Sequence, residues 1–176
     1  SFSIPLQVDS ETSLEELRSN AFSSGFAENR QPKRFLRVLQ IEDNETNRDV
    51  VERILKQHGH DVISVTNGRE AIDLIDSSKY HFDAIITDRH MPVMDGIEAT
   101  RLIRQMPAPY STIPIIGITA SVISDEMDQC LSAGMDKVLA KPVSTTGLLA
   151  TLARLTSQKK GFNTARGDRP VLIIDD

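Results

Sequence analysis

Residues 82–96 read FDAIITDRHMPVMDG, and this stretch decides the fold. An apolar run closes on Asp88, a proline-containing loop follows, and from Gly96 the pattern turns helical in GIEATRLIRQM (96–106). A short, fully apolar strand that delivers an acid at its carboxyl end belongs in a parallel sheet covered on both faces. In such sheets the functional groups gather beyond the carboxyl ends of the strands. The rest of the chain should then supply more strands of this kind, each followed by a helix.

It does so on both sides. Upstream, RVLQIE (37–42) precedes ETNRDVVERILKQHG (45–59), in which Val50, Val51, Ile54 and Leu55 share one helical face. Asn44 is placed to cap that helix, and Gly59 stands near its end. DVISV (61–65) and GREAIDLIDSS (68–78) form the next strand and helix. Downstream, Pro107 and Pro109 break the helix, and TIPIIGITA (112–120) reads as a strand. SDEMDQCLSAG (124–134) is a helix closed by Gly134, and DKVLA (136–140) a short strand. STTGLLATLARLTS (144–157) is a last helix carrying Leu148, Leu149, Leu152 and Leu155. The pattern predicts an α/β fold, a doubly wound five-stranded parallel sheet with helices on both faces.

The strand ends are chemically alike. The first delivers Glu42 and Asp43, the third Asp88, the fourth Thr119 and Ala120, and the fifth Lys141 with Pro142. Three carboxylates brought together repel one another and call for a cation or a proton. An all-oxygen donor set with room for water suits Mg²⁺ and not zinc. A carboxylate can also attack phosphorus and carry a phosphoryl group. An ammonium beside it offsets charge on the transferring oxygens.

The composition sets outer limits. The chain has 176 residues, 39% hydrophobic and 5% aromatic with no tryptophan, so its core must be aliphatic. The net charge of −5 argues against a nucleic-acid surface. No apolar run is long enough to span a bilayer, and this stretch calls for no direct membrane contact. Cys130 has no partner for an internal disulfide, which fits a reducing, cytoplasmic setting, although a longer parent protein can carry a membrane anchor. It reads as a small apolar residue on a helix face.

VLQIEDNETNR, DAIITDRHMPVMDG, IIGITAS and LAKPV together resemble the receiver domain of two-component response regulators, in particular receivers within hybrid histidine kinases. The spacings also fit: 45 residues from Asp43 to Asp88, 31 more to Thr119 and 22 more to Lys141. The resemblance covers residues 35–157 and implies a flavodoxin-like fold. It implies that Asp88 is the phosphoacceptor. Asp43, Asp88 and the backbone carbonyl of His90 would ligate Mg²⁺, with Glu42 acting through the metal's waters. Lys141 would contact the phosphoryl group, and Thr119 would move toward it and report phosphorylation to the adjacent helix. Met91, Pro92, Met94, Asp95 and Gly96 would form the loop and helix start after the acceptor. A cis peptide commonly precedes the proline that stands here as Pro142. The implied partner is a histidine kinase or a histidine phosphotransfer domain.

Two positions depart from the family pattern. Val138 occupies a switch position that often holds Tyr or Phe, and valine has no ring to swing. Glu42 replaces the commoner aspartate and keeps the acid with a longer reach. A docking pseudo-receiver that needs no phosphate is therefore a competing reading. A phosphatase of the haloacid dehalogenase type is another, but it wants an aspartate where His90 stands. The His90 side chain reads as a loop group shaping water access, and His58, His60 and His81 as surface residues at element ends.

The flanks carry further expectations. SFSIPLQ within 1–8 resembles the last strand of a kinase ATP-binding domain. Residues 9–34 read as a linker, part helical where Ser13 to Glu16 make a capping box. Residues 158–169 read as a linker. VLIIDD (171–176) repeats the VLQIED pattern (38–43), which suggests that 170–176 begin a second receiver domain.

Overall fold

A computed structural model describes residues 34–165. The expectations for 1–8, 9–33 and 166–176 lie outside the described residues, as does the second-receiver strand. Five parallel strands alternate with five helices: β1 (Arg37–Ile41), α1 (Glu45–Gln57), β2 (Asp61–Val65), α2 (Gly68–Asp76), β3 (Ala84–Asp88), α3 (Gly96–Gln105), β4 (Ile115–Thr119), α4 (Ser124–Ala133), β5 (Lys137–Ala140) and α5 (Thr145–Ala165). The spatial order is β2-β1-β3-β4-β5, so the winding direction reverses between β1 and β3. Ligand sites of doubly wound sheets lie at that reversal, outside the strand carboxyl ends.

Alternation along each strand builds the core. Leu39, Ile41, Ile85 and Ile115 face one side, packed with Ala71, Ile72 and Ile75 of α2, Ala99 and Ile103 of α3, and Cys130 of α4. Val38, Ala84, Ile86, Ile116 and Ile118 face the other, against Val51, Ile54 and Leu55 of α1 and Leu148, Leu152 and Leu155 of α5. Each buried Leu or Ile contributes about 1.5–3 kcal/mol. β3 and β4 are buried along their whole length, whereas the edge strands β2 and β5 are partly exposed. Cys130 is fully buried, as its place on a helix face suggests.

Local chemistry explains the element ends. Asn44, Asn67 and Asp95 each cap a helix by accepting a backbone N–H three residues on. Gly59 and Gly134 end α1 and α4 with φ of +83° and +116°, a region open to glycine. The Lys141–Pro142 peptide is cis, as the family resemblance implies, and so is Ala108–Pro109.

One boundary needs correction. The linker read over 158–169 does not begin at residue 158, because α5 continues to Ala165. Gln158, Lys159 and Lys160 are good helix formers. The Lys159 ammonium also reaches Asp136, 3.2 Å away, and the carbonyl of Thr112. Composition alone cannot foresee an anchor so distant in sequence.

His60 ties β1 to β2. Its Nδ1 accepts the N–H of Leu36 at 3.3 Å, so the ring must be neutral there. Burial, helped by repulsion from His58, lowers its pKa from the usual value of about 6.5. The unfolded chain therefore takes up this proton first as pH falls. The contribution is complete above about 6.5 and declines as pH drops from there toward the lower folded-state value. Urea midpoints at pH 7.5 and 5.5 should show this loss in the wild type, and His60→Asn, which keeps an acceptor, should flatten it.

Candidate functional site

The carboxyl edge of the sheet gathers the acids that the sequence singles out. Glu42 and Asp43 follow β1, and Asp88 closes the adjacent β3. One oxygen from each carboxylate lies within 4.8 Å of the others. Glu42 and Asp88 are buried, at 3% and 7% exposure, while Asp43 is open to solvent.

Lys141, just beyond β5, closes the cluster. Its Nζ lies 2.9 Å from Asp88 Oδ2 and 3.3 Å from Glu42 Oε2. Burial alone would pull the Lys141 pKa down, but the hydrogen bond and charge of Asp88, joined by Glu42, outweigh it and raise it. Glu42 is raised as well, first by burial and then by repulsion from Asp88. The Asn44 N–H and the Lys141 charge oppose that rise without cancelling it. The two directions agree with the distances, since the ammonium lies closer to Asp88 than to Glu42. One ammonium among three carboxylates leaves the site electronegative.

The donor set fits a hard divalent cation. Three oxygen ligands converge, one of them facing water, and no sulfur or imidazole joins the cluster among the described residues. Mg²⁺ favours carboxylates together with retained waters, which this arrangement allows.

Backbone and neighbouring side chains hold these groups. Asn44 N–H donates to Glu42 Oε1 at 3.1 Å, and the Arg48 guanidinium donates to the Glu42 carbonyl at 3.0 Å. Gln40, buried in β1, donates to the Arg48 carbonyl and accepts from Ser64 Oγ. A polar chain thus runs from the middle of β1 through α1 to Glu42. The His90 N–H points to Asp88 Oδ1 at 3.4 Å, and its side chain is exposed, as expected of a loop group. Thr119 is buried; its carbonyl accepts the Lys141 N–H, and its Oγ1 accepts the Ser121 N–H at 3.2 Å. Every side chain expected at the site therefore lies on this edge. The contacts of Gln40 and Arg48 were not foreseen, because they leave no local pattern.

Residues 38–153 match the family model of the response regulator receiver domain. The chain belongs to this receiver family. Sensory/regulatory protein RpfC of Xanthomonas campestris pv. campestris is 36% identical over 158 residues, covering 89% of this chain and 22% of RpfC. Sensor histidine kinase RcsC of Escherichia coli K12 is 35% identical over 115 residues, covering 65% of this chain and 12% of RcsC. The chain thus spans less than a quarter of these relatives. The receiver domain of the Pseudomonas aeruginosa sensor histidine kinase PA1611 superposes with a TM-score of 0.64 at 35% identity, over 70% of this chain and 99% of that one. That structure holds a magnesium ion in its active-site cleft. This chain is accordingly a receiver domain of the two-component type, similar to those of hybrid sensor kinases, and its acidic cluster fits a phosphorylation site.

The receiver loop is packed tightly where α3 begins. Gly96 N–H donates to the Arg89 carbonyl at 3.0 Å, and a Cβ on Gly96 would lie 2.1 Å from the Asp88 carbonyl oxygen. Gly96→Ala should therefore push the loop off the end of β3 and cost about 1–3 kcal/mol. A urea titration would show the loss, and an unchanged midpoint would mean the loop yields freely.

Proposed function

We propose that Asp88 accepts a phosphoryl group from a histidine of a kinase or histidine phosphotransfer domain and then passes it on or loses it by hydrolysis. The observation that carries this is the Lys141 contact to Asp88 and Glu42 within a cluster of three carboxylates. A carboxylate oxygen of Asp88 attacks phosphorus, a P–O bond forms, and the P–N bond to the donor imidazole breaks with its electron pair leaving on nitrogen. Lys141, which contacts Asp88 and Glu42 at rest, would follow the negative charge onto the phosphoryl oxygens. Asp43, Asp88 and the His90 backbone carbonyl would hold Mg²⁺, with Glu42 behind its waters. The ion would supply charge neutralisation at the transferring oxygens. Thr119 moves its hydroxyl toward the phosphoryl group and gives up Ser121.

The likeness to hybrid kinases supports a setting inside a longer phosphorelay protein, and the VLIIDD repeat supports a second receiver as a neighbour in that chain. Among the described residues, no helix is long and apolar enough to cross a membrane. We place the domain in the cytoplasm with its kinase partner.

Acetyl phosphate with Mg²⁺ should phosphorylate the wild-type chain, as read by intact mass, and Asp88→Asn should stay unmodified. Phosphorylation of wild type and Asp88→Asn alike would reject Asp88 as the acceptor. A protein that never responds, yet still alters a tethered kinase, would favour the docking pseudo-receiver.

Lys141→Met should separate binding from chemistry. Removing a preorganised charge at the transferring oxygens should slow phosphorylation about 10²–10³-fold. The same change removes a competing cation, so Mg²⁺ should bind at least as tightly, which a fluorescence or calorimetric titration would check.

A further inference from the structure

Helix α4 is lightly anchored. It buries only Cys130 and Ala133, both in its second half, whereas α2 and α3 each bury four residues. Its N-cap residue, Ile123, makes no side-chain cap. Val122 and Ile123 leading into it are 62% and 64% exposed, so the core does not hold this entry loop.

Besides Met127, which packs half-buried against the core, the first half of α4 is held by a side chain from the acceptor strand's end. Arg89 follows Asp88 directly. Its Nη1 lies 2.8 Å from Glu126 Oε2, and its Nη2 donates to Gln129 Oε1 at 2.8 Å. The Arg89 side chain is 11% exposed. Nη1 and Oε2 are both shielded from water and make no aligned hydrogen bond, so their close ion contact is what compensates each. Removing either partner would leave a desolvated charge uncompensated.

The Arg89 backbone, by contrast, is fixed on both sides. Its N–H donates to the Ile118 carbonyl at 3.0 Å, and its carbonyl accepts from Gly96 at 3.0 Å. Val138, at the position where a ring could swing, is buried in the core and offers no such route. Among the described residues, the chain from Thr119 through residues 120–123 and the Arg89 side chain both lead from the acceptor to α4.

We propose that Arg89 is the positioning residue that couples the Asp88 site to α4, by holding the helix through Glu126 and Gln129 as a fulcrum. When Thr119 moves, Ser121 loses its acceptor and the exposed entry loop shifts. α4 then turns about the point where Arg89 grips it. The ion contact, close but out of hydrogen-bond alignment, can be kept in both positions of the helix. This rests on the reading of Asp88 as phosphoacceptor.

The test uses the full chain with Mg²⁺ and beryllofluoride as the phosphoryl stand-in, followed by amide NMR. In the wild type, amides of the acceptor loop (90–95) and of Ser124–Ala133 should both shift. In Arg89→Met and Glu126→Gln the loop should still respond, while the α4 shifts fall roughly twofold or more, the scale expected of a coupling residue. Arg89→Lys, which keeps the charge, should restore part of the response. Gln129 is exposed, so Gln129→Ala should fold normally and give an intermediate loss even if Arg89→Met does not fold. A full α4 response in Gln129→Ala and Glu126→Gln would overturn the coupling role while leaving the acceptor reading intact. A wild-type loop that ignores beryllofluoride would overturn both.

Discussion

The Lys141 ammonium stands 2.9 Å from Asp88 and 3.3 Å from Glu42, with the Asp43 carboxylate close by. Two unit charges about 4 Å apart interact by about 4 kcal/mol at the effective dielectric of a protein surface. Three carboxylates in this space therefore strain against one another, and one lysine relieves only part of it. Glu42 is shifted upward first by its burial and then by its repulsion from Asp88. A site left short of positive charge is suited to recruit a divalent cation, and with it an anionic phosphoryl group.

Such crowding survives only because the framework around it is stiff. Glu42 and Lys141 follow β1 and β5, Asp88 closes β3, and the central strands β3 and β4 are buried runs. Sliding any one of these strands by a residue would turn its buried side chains to the wrong face. The electrostatic cost of gathering the acids is thus met by apolar packing elsewhere. The close approach of Gly96 to Asp88 and the polar chain from Gln40 through Arg48 fix the details.

A stiff site also needs a part that yields if its state is to be read outside. The entry to α4 has the right character, with exposed apolar side chains, no side-chain cap and little burial. Val138 is buried and carries no ring, so direct links between β3 and α4 are the ones that the proposed coupling uses. The Arg89 contact to Glu126 and Gln129 is such a link.

Strand and helix identities were legible in the sequence because they rest on local periodicity: apolar runs such as Ala84–Ile86, and the helical face of Val51, Ile54 and Leu55. Helix caps at Asn44 and Gly134 were legible for the same reason. The acids, Thr119 and Lys141 could be listed because a parallel sheet carries every strand's carboxyl end to one edge. Their distances could not be read this way. Lys141 meets Asp88 across 53 positions, and Arg89 meets Gln129 across 40. The extension of α5 to Ala165, stapled by Lys159 to Asp136, was hidden likewise. The sequence by itself determined the fold class and which side chains the strands deliver to their common carboxyl edge, since pattern and connectivity are local properties. Only the tertiary structure decided which charges neutralise which, and how α4 is held, since those depend on side chains that meet far from their neighbours in the chain.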